Sequence, residues 1–145
     1  MTTLEARLPD SAHAGPYLAP KDLRALNRAA KKAGLKLVHI DLSGVHDKQH
    51  LLDAVAAAFQ FPEWFGGNWD AIEDCLTDMS WNKASGYVAL FEHAAGLAKH
   101  APHELATAVE IFESVAEYWD EQDKPFWTLF AGIDTPVAGI KPLLV

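Results

Sequence analysis

The sequence predicts an α/β domain, a small parallel sheet of three or four strands packed with helices. Three observations lead there. Strand-length stretches stand at residues 36–42, alternating apolar and polar, and at 86–91 and 126–131, nearly continuously apolar. The segments between them repeat apolar residues at helical spacing, which is the pattern of strands joined by crossover helices. The middle run, Tyr87-Val88-Ala89-Leu90-Phe91, is continuously apolar, as a central strand covered on both faces requires.

Taken in order, residues 1–16 contain Pro9, Gly15 and Pro16, show no periodicity, and are expected to form a loose lead-in. Tyr17-Leu18-Ala19 is a short extended piece. A helix is expected from Pro20, a residue suited to the first helical position. It carries Leu23, Leu26, Ala30 and Ala33 inward, turns Arg24, Arg28, Lys31 and Lys32 outward, and stops at Gly34. Residues 36–42 alternate apolar and polar and form a strand. Asp47 caps a helix that runs to about Phe59 and buries Leu51, Leu52, Val55 and Phe59. A glycine-containing loop and an acidic helix follow, to about Met79. The central strand leads to a short helix over 95–100, then to a long helix from Pro102 to about Gln122. Lys124-Pro125 breaks that helix before the strand at 126–131. The tail holds Pro136, Gly139 and Pro142, and is expected either to pack as an apolar strap through Ile140, Leu143, Leu144 and Val145 or to hang free.

Composition narrows the function. The 145 residues are half apolar, enough for a real core, with no apolar run long enough for a membrane span. The single cysteine, Cys75, forms no internal disulfide and fits a reducing compartment, and no secretory leader is evident, so the expected location is cytoplasmic. The net charge of −8 is uneven: residues 1–36 hold seven bases and three acids, and the remainder holds five bases and seventeen acids. The acidic part disfavours direct contact with nucleic acid and favours a basic partner.

The stretch of interest is Phe61-Pro62-Glu63-Trp64-Phe65-Gly66-Gly67-Asn68-Trp69-Asp70-Ala71-Ile72-Glu73-Asp74-Cys75-Leu76-Thr77. No Lys or Arg lies between Lys48 and Lys83. Gly66-Gly67 permits a sharp bend. Asn68 is a natural N-cap, and Asp70 in the first turn is favoured by the helix dipole. Asp70, Asp74 and Asp78 at i, i+4, i+8 form one stripe, with Ile72, Cys75, Leu76 and Met79 on the other side. Like charges so spaced repel by roughly 0.2–0.5 kcal/mol per pair, a cost that a cationic partner would offset. Cys75 faces inward as an inert thiol.

This stretch resembles the barstar family, small inhibitors of bacterial ribonucleases such as barnase. Pro62, Glu63, Trp64, Phe65, Gly66, Asn68, Asp70, Ala71, Asp74, Cys75, Leu76 and Thr77 match the family's segment at fixed spacing. The resemblance covers roughly residues 36–132, with 1–35 as an N-terminal extension carrying one basic helix and 133–145 as a C-terminal tail. It implies a barstar-like fold and no enzymatic activity. It also implies a partner-binding surface in which Asp70 and Asp74 pair with catalytic cations, flanked by Trp64, Phe65, Gly66, Asn68 and Thr77. Glu73 replaces a family aromatic and adds charge to the same face. The long-helix position where the family has a contact carboxylate falls near Ser114, between Glu113 and Glu117. The expected partner is a basic bacterial ribonuclease, with the protein in the role of immunity protein.

Other readings stand beside this one. An acidic helix face is most often plain solvated surface. The patch can serve a regulatory protein–protein contact with no nuclease involved. Asp70 with Asp74 or Glu73 can be drawn as an acid/base pair, but no nucleophile or phosphate-binding loop accompanies them. His46 with His50 and His100 with His103 have helical spacing without the third ligand of a zinc motif, so neither a metal nor a cofactor is expected.

Overall fold

The computed structural model describes residues 3–62, 66–133 and 140–143. Eleven regular elements and one short turn follow in order: α1 (Leu4–Arg7), a 3-10 turn (Ser11–His13), β1 (Pro16–Leu18), α2 (Leu23–Lys32), β2 (Lys36–Asp41), α3 (Lys48–Phe59), α4 (Trp69–Asp78), β3 (Tyr87–Glu92), α5 (Ala95–His100), α6 (Pro102–Asp120), β4 (Phe126–Phe130) and β5 (Lys141–Pro142). The sheet is parallel throughout, in the order β2-β3-β4-β1-β5. It has five strands, more than the three or four expected. The added strands are β1, which takes in Tyr17 and Leu18 of the piece expected to be extended, and β5, which lies in the expected tail. β1 lies against β4 with Pro16 opposite Thr128, and β5 lies against β1 with Tyr17 opposite Lys141.

Strand alternation divides the core into two layers. On one face Ala89 and Phe91 of β3 with Phe126 and Phe130 of β4 pack against α3, α4, α5 and α6. On the other, Val88, Leu90, Trp127 and Leu129 pack against Leu8 and against Leu26, Ala29 and Ala30 of α2. Both central strands are therefore buried on both sides, which is why they are apolar without alternation apart from the buried Thr128. The edge strand β2 instead buries Val38 and Ile40 and exposes Lys36, His39 and Asp41.

Residues 3–16 are not a loose lead-in. Thr3 and Asp10 cap α1 and the 3-10 turn with their side chains. Leu8 is fully buried, and its carbonyl accepts a hydrogen bond from Trp127 Nε1 at 2.9 Å. Ser11 Oγ donates to Asp120 Oδ1 at 2.7 Å, tying the same segment to the end of α6. The helix expected from Pro20 begins instead at Leu23, because Asp22 Oδ1 takes the Ala25 N–H and sets the N-cap there. Asp47 caps α3 as expected, accepting from His50 N at 2.9 Å. In the tail, Ile140 and Leu143 are buried, whereas Leu144 and Val145 lie outside the described residues.

Candidate functional site

α4 is built so that one side is fixed and the other is free. Gly67 takes a φ of +72°, a turn that a side chain would strain. Asn68 then caps the helix, its Oδ1 accepting from Ala71 N at 2.8 Å. Ile72, Cys75 and Leu76 are completely buried beneath the helix. Met79, in the left-handed region at φ 50°, closes the C-terminus by donating its N–H to the Cys75 carbonyl.

Two indoles hold the helix at its ends. Trp69, half-buried, donates Nε1–H to Glu104 Oε2 at 3.2 Å, in the first turn of α6. Trp119 donates Nε1–H to the carbonyl of Leu76 at 2.9 Å. The acceptor belongs to the last turn of α4, where helix carbonyls lack an intrahelical partner. Thr77 Oγ1 folds back on the carbonyls of Glu73 and Asp74, at 2.9 and 3.3 Å.

Asp70, Asp74 and Asp78 are exposed on the outer side, and Glu73 is half-buried beside them. Among the described residues none of these four carboxylates makes an ion pair; the pairs present are His13–Asp10, Lys32–Glu5, His39–Glu92, His50–Asp47 and His93–Asp41. The structure thus brings Gly66, Asn68, Asp70, Glu73, Asp74 and Thr77 together at one helix and its leading turn. Trp64 and Phe65 lie outside the described residues. Phe61, just before them, is anchored by Phe59, stacked at 6.0 Å between ring centroids, and by Trp81, edge-on at 5.9 Å. The thiol of Cys75 is pushed up by burial first and by Asp74 and Asp78 next, which suits an unreactive core residue.

Two nearby residues were not singled out from the sequence. Glu104 is one; its acceptor role was hidden because Trp69 lies 35 positions away. The other is Tyr118 on α6, 40% exposed, beside the Trp119 that pins α4. Ser114, Glu113 and Glu117 are exposed on α6, and among the described residues no side-chain hydrogen bond joins them to the α4 carboxylates. The histidines pair differently from their sequence spacing. His46 packs against His100 with ring centroids 4.6 Å apart and planes tilted by 42°, and His50 lies within 2.8 Å of both Asp47 oxygens. Among the described residues no three His, Cys, Asp or Glu side chains converge to hold a metal, and no helix is long and apolar enough to cross a membrane.

In class, this is a parallel α/β domain whose surface helix, pinned at both ends, presents a carboxylate stripe with no ion pair among the described residues. Residues 35–131 match the family model described as Barstar (barnase inhibitor), and the chain belongs to that family. The match runs from just before β2 through β4 and leaves α1, β1, α2 and β5 outside it. No curated protein matches the chain.

Proposed function

We propose that this protein inhibits a barnase-like ribonuclease by filling its basic active site with α4 and the loop before it. The contact surface in this reading is Trp64, Phe65, Gly66, Asn68, Asp70, Glu73, Asp74 and Thr77. What supports it, beside family membership, is the state of Asp70 and Asp74: exposed, on a helix whose far side is fully buried, with no cation of the same chain paired to them among the described residues. A carboxylate presented in this way can take a guanidinium bidentately, as a phosphate would. The carboxylates stand in for RNA phosphates in the cationic cleft, and substrate is excluded by occupancy. The protein performs no chemistry, acts in the cytoplasm and serves as an immunity protein. Residues 36–132 form the inhibitory unit, with 1–35 and 133–145 flanking it.

Negative charge on one face also accelerates encounter with a positive cleft. Barnase with barstar is itself the standard example of that steering, so its rates belong to that pair. The test is titration of barnase activity on RNA with the wild-type protein, Asp70→Ala and Asp74→Ala. Truncating one member of a desolvated charge pair costs about 2–5 kcal/mol, or roughly 30- to several-thousand-fold in affinity. Wild-type inhibition that survives Asp74→Ala unchanged would remove α4 from the interface. Titration without any loss of activity would remove barnase as the partner of this surface.

A further inference from the structure

The cationic face of α2 matches the carboxylate stripe of α4. Both helices are ten residues long. Arg24, Arg28 and Lys31 recur at i, i+4, i+7 along α2, and all three are exposed. None of them makes an ion pair among the described residues; the adjacent Lys32 is engaged by Glu5 at 3.1 Å. Asp70, Asp74 and Asp78 recur at i, i+4, i+8 along α4. At 1.5 Å rise per residue the two rows span about 10 and 12 Å, so three cations can lie against three carboxylates.

The rows cannot meet within one molecule. α2 packs on the Val88, Leu90, Trp127 and Leu129 face of the sheet, and α4 packs on the Ala89, Phe91, Phe126 and Phe130 face. Two packed layers of roughly 10 Å each separate them, more than two screening lengths of about 8 Å at physiological salt. Each row therefore faces solvent largely unneutralised by the other.

We propose that the α2 face docks a second copy of this chain through that copy's α4. Because the two faces point in opposite directions, the contact is head to tail and does not close into a two-fold dimer. A copy seated in this way covers Asp70 and Asp74, so self-association and any other use of that surface exclude one another. The proposal goes beyond the inhibitor reading. Its test reads mass alone and stands or falls whatever the ribonuclease titration shows.

Light scattering on the full chain should give the monomer's 15.9 kDa when dilute. At about 1 mM and moderate salt, where a few exposed ion pairs become populated, the mass should rise without a plateau at dimer, and about 0.5 M salt should reverse it. R24E/R28E and D70R/D74R should each remain monomeric alone, with unchanged circular dichroism. Mixed one to one, they should associate and grow without a plateau, since the intact α2 of one meets the intact α4 of the other and the two charge-reversed faces also match. The neutral variant R24Q/R28Q should weaken association at least tenfold. A wild type that stays at 15.9 kDa, a mixture that fails to pair, or association that persists in R24E/R28E would each overturn the proposal. Salt-sensitive binding of an RNA oligomer lost in R24E/R28E, without any rise in mass, would overturn it in favour of a polyanion.

Discussion

Leu8→Ala should destabilise the whole molecule, although Leu8 lies in a segment outside the family match. Its side chain is fully buried among Leu26, Ala29, Ala30, Leu35, Val88, Leu90, Trp127, Leu129 and Leu143. Truncation to alanine removes three carbon groups, worth about 2.4 kcal/mol at roughly 0.8 kcal/mol each. A cavity left behind can bring a buried Leu→Ala change to as much as about 5 kcal/mol, depending on how far the site collapses. α1 is a single turn with no buried residue of its own, so it can settle inward. That places the expected loss at about 2.5–3.5 kcal/mol, in the lower part of the range. With a urea slope of about 2 kcal/mol/M for a domain of this size, the midpoint should fall by about 1.2–1.8 M. Far-UV circular dichroism and tryptophan fluorescence should shift together, because Trp127 donates to the Leu8 carbonyl and reports on the same core. A midpoint moved by less than about 0.2 M would refute the reasoning, since residues 3–14 would then be a detachable arm.

Gly86→Ala should cost about 1–3 kcal/mol, read as a fall in thermal midpoint, through overpacking. An added Cβ would stand 2.6 Å from Leu35 Cδ2 and 2.8 Å from the Pro125 carbonyl oxygen, and backbone cannot step aside as a side-chain tip can. Cys75 should resist a thiol reagent such as DTNB in the folded state at pH 8 and react at once in urea, because burial both shields the thiol and raises its pKa; rapid native-state labelling would contradict the packing of α4. Asp41 should titrate at about 2 by carboxyl NMR, held down first by the Ser43 N–H at 2.9 Å, then by Ser43 Oγ at 2.7 Å and by His93 Nδ1 at 2.9 Å. Its folded pKa lies below the ordinary 3.8, so its stabilisation is present above about pH 4 and is lost as pH falls through about 2. Ser43→Ala should raise the midpoint, and an unmodified Asp41 titrating near 3.8 would count against the turn.

The parts legible in the sequence were those specified by neighbours. The N-caps Asp47 and Asn68 act on residues three positions away, and the α4 stripe repeats every four, so local spacing was enough. The central strands announced themselves because both of their faces are buried. β1 and β5, at three and two residues, are too short to show a period, and their hydrogen-bond partners lie far along the chain. Leu8 is a lone apolar residue between Arg7 and Pro9, and nothing nearby reveals that it meets Trp127. At the start of α2 two local signals competed, and the side-chain cap at Asp22 prevailed over Pro20. At the site, the carboxylate stripe was evident, but the indole contacts that hold α4 in place join residues 35 and 43 positions apart.

The position of β1 has a consequence for how the molecule comes into being. Pro16 pairs with Thr128 and Tyr17 with Lys141, so both sheet neighbours of β1 lie more than 100 positions further along the chain. During translation the sheet can begin as β2-β3, but β1 has no seat until β4 leaves the ribosome. Until then Val88 and Leu90 lack part of their cover, and an unfinished chain is prone to sticking. Closing so long a loop is also slow, so the acidic helix should be displayed on its complete five-stranded scaffold only after β4 and β5 have emerged.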